Sequence, residues 1–569
     1  MTVSAAASQR RSLFVNRYLG GAPQSSMRAM LKLLLFVSAL PLFAQQAELD
    51  AIAAKAFPAD RPGAAVLVMK GGQPLLRKGY GLADVEQGTK IAPESVFRIG
   101  SLTKQFTAVA ILQLVESGKL ALTDPITKFI PDYPTQGKSI TIEHLLTHTS
   151  GIQSYTDKPS FLTSMRADLT PAELIASFRN DPMKFDPGEQ WAYNNSGYIL
   201  LGHLIEQLSG MPYAEYLKKN VYPRAGLTST YYGDVATIVP RRVPGYANSG
   251  GTLINAAYLS MSLPYAAGSL LSTVDDLAKW NSALAAGKVV DRKLLDKAWT
   301  PFHLTGGESS GYGYGWGVRQ LSGERSIQHS GGINGYSSFA MWMPERDVYV
   351  AVLANHESPR PEPSFVAGQL ALQAIGKAWA ANPITLSPSE LAAYTGVYRV
   401  NENVARTITL EKGQLHSQRT GNPALPLVPV GKDEFVFRES FTTLTFERDA
   451  AGKIVAMVAD DGRTKTRAPL TAEKPVTRTE MIIEPAKLDR YAGNYQVAPT
   501  FFLKVFRKGD ELWTQATGQS EIRIYPESET KWFLKVVDAQ LTFEFDEQGV
   551  ARSLTLHQGG RNMPAPKVK

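Results

Sequence analysis

Residues 97–118 read FRIGSLTKQFTAVAILQLVESG, and this stretch decides the fold. An extended segment ends at Gly100. A run then follows with Phe106, Val109, Ala110, Leu112 and Leu114 in or beside one apolar stripe, stopped at Gly118. That spacing predicts an amphipathic helix over 104–118. Ser101-Leu102-Thr103-Lys104 stands where the extended segment turns into this helix. Side chains at i and i+3 stack on one helix face, which brings a lysine amine beside a serine hydroxyl. A serine alkoxide is a poor species at neutral pH, so a nucleophilic serine needs a base and a favourable field. The helix N-terminus supplies positive potential. The lysine takes a proton only when neutral, which calls for burial and neighbouring positive charge. The four-residue pattern is weak alone, since Ser528-Glu529-Thr530-Lys531 also matches it in a charged stretch between predicted strands. That second copy reads as a solvated turn.

Working outward, Tyr193-Asn194-Asn195 lies 92 residues beyond Ser101, in a polar loop before a helix predicted over 197–208. His329-Ser330-Gly331-Gly332 lies 136 residues further on, leading into a strand predicted over 337–343. Segments 64–70 and 74–79 flank Gly71-Gly72 and read as a hairpin. Ser272 or Thr273 is positioned to cap a helix through Asp276, and 337–343 with 348–354 form a second strand pair around Pro344–Asp347. A helix around 369–380 closes the region. Strands at both ends with helices between predict one α/β (α+β) unit whose sheet pairs its first and last strands.

Past Asn382 short alternating strands dominate, and a repeat appears. Leu391, Tyr394, Gly396, Tyr398, Phe435, Phe446 and Gly452 recur as Leu488, Tyr491, Gly493, Tyr495, Trp532, Phe543 and Gly549, always 97 residues apart. Two antiparallel, barrel-like all-β modules are expected at 383–470 and 487–569, joined by a linker at 471–486. The unit carrying Ser101 is expected at 45–382.

The 569 residues are 44% hydrophobic and 20% charged, with 47 Gly, 35 Pro and no Cys. Absence of cysteine excludes a disulfide scaffold, a thiol nucleophile and Cys-ligated metal. Of the net charge of +8, five charges sit in the first 44 residues, and no basic run occurs, so no nucleic-acid partner is expected. Met27–Ala44 reads as a secretory signal peptide, with Arg28 and Lys32 before an apolar core over 33–43. Residues 1–26 read as an upstream extension. The apolar core, interrupted by Pro41, is too short for a span, so a periplasmic or secreted protein without stable membrane insertion is expected. His144 and His148 have metal-ligand spacing but lack a surrounding motif, and read as capping or packing groups. Tyr312, Tyr314 and Trp316 read as a strand packing on a helix rather than a sugar platform.

Ser101–Lys104, Tyr193–Asn195 and His329–Gly331, in this order and spacing, resemble the three motifs of the serine β-lactamase and penicillin-binding-protein superfamily, class C branch. HLLTHTSGI at 144–152, FDPGEQWAYNNSGY at 185–198 and GYGYGWG at 311–317 add to the resemblance. It covers about residues 48–380. It implies a β-lactamase-like fold, with an antiparallel sheet flanked by helices plus a helical subdomain. It also implies that Ser101 is acylated, that Lys104 and Tyr193 share the general-base work, and that Tyr193 is the base for deacylation and the proton donor to the leaving group. Asn195 would hold the substrate amide or the lysine, and the N–H groups of Ser101 and Gly332 would form the oxyanion hole. His329, Gly331 and Gly332 would border the substrate. His329 stands where many relatives carry Lys; an imidazole has an ordinary pKa of about 6.5, which puts carboxylate recognition in question. The layout also resembles bacterial D-aminopeptidases, in which a β-module loop narrows the active-site mouth. The expected substrates are D-amino-acid peptides or β-lactams, with esters as the alternative and a non-catalytic cell-wall binding or sensor protein as a third reading. No cofactor and no metal is expected; a homodimer is an open option.

Overall fold

The computed structural model describes residues 44–569 apart from 250, 380–382, 403, 476, 477, 479, 499, 500, 518, 520, 560 and 569. The expected leader, up to Phe43, lies outside the described residues. Helix α1 (44–56) precedes the hairpin of β1 (Ala64–Lys70) and β2 (Gln73–Tyr80). Helices α2 (Thr103–Glu116), α3 (Asn195–Ser209) and α4 (Val274–Ala285) follow. The chain then runs through β3 (Gly317–Leu321), β4 (Glu324–Ile333), β5 (Tyr336–Met343), β6 (Val348–Ala354) and α5 (Pro363–Ala374). The sheet order is β3-β4-β5-β6-β1-β2, antiparallel throughout. Ala64 pairs with Ala354, so the first and last strands meet at its centre, as their patterns predicted.

Alternation along β1 explains the layers. Ala64, Val66 and Val68 face α1 and α5, whereas Ala65 and Leu67 face the helical side with α4. Thr273 caps α4 through the Asp276 N–H at 3.1 Å. Helix α5 begins earlier than expected because Pro363 sits in its first turn, and it stops before Gly376, at φ 75°.

Helix α2 departs from its expected amphipathic character. Every residue from Thr103 to Leu114 is buried, because α2 runs through the middle of the helical subdomain. Its polar side chains find partners there: Thr107 donates to the Ala266 carbonyl at 2.6 Å, and Gln113 to Val289 at 3.0 Å.

Beyond α5, eight strands between Gly396 and Pro469 form an antiparallel meander whose ends meet at Tyr398 and Leu470. Eight more, between Gly493 and Val568, form a closed barrel, in which Asn494 pairs with Val568. Aromatic clusters fill both: Tyr394, Phe435 and Phe446 in the first, Tyr491, Trp532 and Phe543 in the second. Ser528–Lys531 is indeed a turn, with the Ser528 hydroxyl accepting from the Lys531 N–H at 3.0 Å.

The first module docks on the unit that carries Ser101. Phe441 packs on Phe365 (ring centroids 5.0 Å apart) and Trp379 (5.8 Å), over Gly368, where any side chain would strike its ring. Gln320 at the β3 edge donates its N–H to the Gly462 carbonyl at 2.7 Å. Among the described residues, no helix is long and apolar enough to cross a membrane.

Candidate active site

Ser101 lies in a 3-10 turn, Gly100–Leu102, that runs straight into α2. Gly100 has φ 51°, and a Cβ there would stand 3.0 Å from the Gly332 nitrogen and oxygen. A Cβ on Gly331 would strike the Ile99 carbonyl, whereas Gly332 borders open space. Glycine at 100 and 331 therefore lets the serine turn lie directly against β4. HSGG lies within strand β4, which leads into β5, and this sets its backbone edge beside Ser101.

Lys104 Nζ lies 3.2 Å from Ser101 Oγ and donates to Asn195 Oδ1 at 2.8 Å and to the Ala267 carbonyl at 2.8 Å. It is fully buried, and burial alone pushes its ammonium well below the usual lysine range. The neighbouring positive charge that the sequence reading called for is not needed. Of Asn195's two possible tasks the structure shows the lysine contact, with its amide nitrogen donating to Thr156 Oγ1 at 2.9 Å. Asn194 caps α3 by accepting from the Gly197 N–H at 2.8 Å, which holds the Tyr193–Asn195 turn in place.

The Tyr193 ring lies under Lys104, with Nζ 4.9 Å from its centroid. Its hydroxyl is buried without a well-formed hydrogen bond to another protein group, and it senses the Ser101 hydroxyl. Burial raises the phenol's pKa, so it is protonated at neutral pH.

His329 differs from its expected part as a titratable cation. Nε2 accepts from the Tyr312 hydroxyl at 2.7 Å and Nδ1 donates to the Ser330 carbonyl at 2.6 Å, so both nitrogens are committed to protein. Burial first, and then the charges of Lys104 and Arg319, lower its pKa to about 3. At working pH this is a neutral ring in the wall. Tyr312 belongs to a glycine-rich segment, 311–316, which is not the expected strand. It wraps the start of α2: Gly315 has φ 85°, and a Cβ there would lie 2.8 Å from the Lys104 carbonyl oxygen.

His148 and Trp191 were not singled out as site residues. His148 accepts from the Asn194 N–H at 3.1 Å and packs on Tyr193 with ring centroids 4.4 Å apart. His144 accepts from the Thr141 N–H in a capping box. Neither faces the other as a ligand pair; both take the packing and capping tasks. Trp191, Tyr193, Tyr312, Arg319, His329 and Phe339 border a cavity of about 210 Å³. Arg463, from the first β module, lies over Trp191, 5.1 Å from its centroid. No short motif marks Arg319 or Arg463; the only signal was that Arg463 interrupts the repeat, where Gly560 stands in the second copy.

A serine turn, a buried amine beside its hydroxyl and a phenol ring under that amine define a serine hydrolase of the β-lactamase type. The family model described as Beta-lactamase matches residues 50–375, and the chain belongs to that family. Residues 380–471 and 477–567 each match a second model, described as a domain of unknown function (DUF3471). Penicillin-binding protein 4* of Bacillus subtilis (strain 168) is 27% identical over 523 residues, 89% of this chain and 94% of the relative. The octameric penicillin-binding protein homologue from Pyrococcus abyssi superposes with TM-score 0.53 at 28% identity, over 75% of this chain and 99% of that one. The penicillin-binding protein from Bacillus halodurans gives TM-score 0.50 at 29% identity, over 58% and 98%.

Proposed function

We propose that this protein is an exported serine hydrolase that cleaves amide bonds of D-amino-acid peptides or β-lactams through an acyl-enzyme on Ser101. The observation that carries this is the buried Lys104 amine 3.2 Å from Ser101 Oγ, depressed in pKa by burial and held by Asn195. A neutral amine accepts the Ser101 proton as Oγ bonds to the substrate carbonyl carbon. The carbonyl oxygen takes up the negative charge against the N–H groups of Ser101 and Gly332, each such donor contributing roughly 10²–10³ in rate. The proton then passes through the Tyr193 hydroxyl to the leaving nitrogen, and the C–N bond breaks. Its raised pKa suits Tyr193 to donating, and leaves the first proton abstraction to Lys104. Water attacks the acyl-enzyme in the second half, giving up its proton along the same route, and frees Ser101.

The esterase alternative is favoured by one feature, the neutral His329, which offers an acidic substrate no cation. Parallel assays on nitrocefin, a D-Ala-D-Ala peptide, a D-alanyl amide and a p-nitrophenyl ester separate the readings. A fluorescent penicillin is expected to label Ser101, and Lys104→Met to slow labelling by roughly 10²–10⁴-fold. Undiminished labelling of Ser101→Ala would end the assignment. Export rests on the Met27–Ala44 pattern, and cell fractionation with the intact mass tests it; a full-length cytosolic chain would reject it.

A further inference from the structure

The two β modules share one frame, and at one end they differ inside it. In the first, strands Val404–Glu411 and Gln414–Arg419 set Arg406 directly opposite Arg419. Period-two alternation puts Arg406 on the inner face with the core residue Ile408, and Arg419 on it with buried Ser417. At an offset of 97 residues the same rung is Leu503 opposite Ala516. Leu503 is buried there with Leu554 and Leu556, and Ala516 and Met563 pack against them. Where the second copy has Leu554, Leu556 and Met563, the first has Met457, Ala459 and Thr466. These three and the arginine pair border a cavity of about 260 Å³. An eight-stranded barrel has an interior that side chains just fill, or that holds one small ligand. The second module is the filled case, and the first is left open.

Like charges facing each other across a strand pair are destabilising, and the surrounding chain does little to offset these. Among the described residues neither guanidinium has a carboxylate within ion-pair distance. Arg406 donates one N–H to Ser417 Oγ at 2.9 Å and lies over the Phe437 ring, 5.8 Å from its centroid. It is half-buried; loss of water, and then the charge of Arg419, work against its ionised form. Arg419 stands exposed at the rim. Among the described residues Asp461 is the one acid bordering the cavity, and Arg463 is a third guanidinium there. The Asp461 carboxylate is engaged elsewhere: it senses Arg319 and Arg463, and its Oδ1 accepts from the Arg463 and Thr464 N–H groups. In the second copy Thr514 keeps a hydroxyl at the Ser417 position, buried and without a partner, where no arginine reaches it. Two opposed guanidiniums with N–H groups to spare, on the inner wall of a cavity, are relieved by an anion.

We propose that the open end of the first β module is a binding site for a small phosphate monoester, held by Arg406 and Arg419. Charge selects the monoester over a carboxylate. The opposed pair carries two positive charges, and a phosphate monoester carries roughly −1.5 to −2 at pH 7 with three acceptor oxygens. A carboxylate would leave one of the two cations uncovered. Planar guanidinium groups bind phosphate oxygens through paired hydrogen bonds. Val400 and Met457 supply an apolar wall for the organic part of the ester. The site lies inside the module, and the inference stands independently of the chemistry assigned to Ser101.

Calorimetry on the full-length chain with phenyl phosphate, benzoate and inorganic phosphate tests the site. Phenyl phosphate is expected to bind about tenfold more tightly than benzoate. It should also bind more tightly than inorganic phosphate, which leaves the apolar wall uncovered. The double variant Arg406→Leu with Arg419→Ala copies the rung of the second module. It should abolish binding while the thermal midpoint stays level or rises, because an opposed pair of cations has gone. Arg419→Ala alone changes an exposed side chain, keeps the fold, and should weaken binding several-fold. Arg406→Lys keeps the charge without the planar fork and should weaken it by a smaller factor than the double variant. Ser101→Ala should bind phenyl phosphate as the unaltered protein does. The site is overturned by any of four results: no binding of phenyl phosphate, benzoate or inorganic phosphate binding as tightly, undiminished binding by Arg419→Ala or the double variant, or loss of binding in Ser101→Ala.

Discussion

Tyr398 donates its hydroxyl to the Tyr394 carbonyl at 2.8 Å, and 97 residues later Tyr495 donates to Tyr491 at 2.7 Å. The Thr420 hydroxyl accepts from the Ala405 N–H at 2.9 Å, and Thr517 accepts from Phe502 at the same distance. The two β modules thus repeat down to single hydrogen bonds. Their loops do not. Phe441 enters a cleft beside α5, where the second module has Asp538. Gly462 meets the edge of β3, whereas its counterpart Gly559 has nothing within 4 Å of the position a Cβ would take. Arg463 stands over Trp191, and the second copy has glycine at position 560. A duplicated frame needs its buried aromatics in both copies, while its loops are free to differ. One copy spent that freedom on the catalytic unit.

The largest expected effect separates the catalytic unit from both modules. His329 has a folded pKa of about 3, against an ordinary value of 6.5. Between these values the unfolded chain binds the extra proton, so its contribution is complete above pH 6.5 and is lost as pH falls toward 3. The loss is on the order of 5 kcal/mol. Denaturation midpoints of the native protein should fall through this window, and His329→Gln should flatten that fall. An unchanged slope in the variant would remove His329 as its source.

Next comes the docking edge. Gly462→Ala drives a methyl group into the Gln320 carbonyl at a backbone φ of 77°, and should cost about 3 kcal/mol. Gly559→Ala, at φ 60° in open space, should cost about 1 kcal/mol. Urea unfolding of the two variants measures the contrast, and equal losses would mean that the edge contact contributes nothing. Phe441→Ala should cost ~2 kcal/mol, with Asp538→Ala within ~0.5 kcal/mol of the parent. Smallest, and equal in the two modules, is the tyrosine bond: Tyr398→Phe and Tyr495→Phe should each lose ~1 kcal/mol. A clear inequality between them would show that the modules differ inside as well as at their loops.

The elements legible beforehand were those written in local periodicity. The β1 and β6 segments are short continuous apolar runs, buried on both faces, that pair in register, and the Ser101–Lys104 spacing places amine and hydroxyl 3.2 Å apart. The fixed offset of 97 residues announced the modules. Helix α2 was misread as amphipathic because its polar residues Thr107 and Gln113 look like a solvent face, when each bonds a carbonyl inside the protein. His329 was read from its ordinary titration. Nothing in HSGG tells that Tyr312 and the Ser330 carbonyl take both ring nitrogens. The expectation that a β-module loop approaches the mouth came from resemblance, and the Arg463–Trp191 contact gives it particular residues.

By itself the sequence determined which side chains share a helix turn or a strand face, because those relations depend only on the 3.6- and 2-residue periods of the backbone. It also determined the duplicated aromatic cores, since an unbroken offset carries the whole pattern from one copy to the next. Tertiary structure alone decided the charge states of Lys104 and His329 and the position of Arg463 beside Trp191. Charge state depends on how much water the surrounding chain removes, and that chain comes from segments hundreds of residues away.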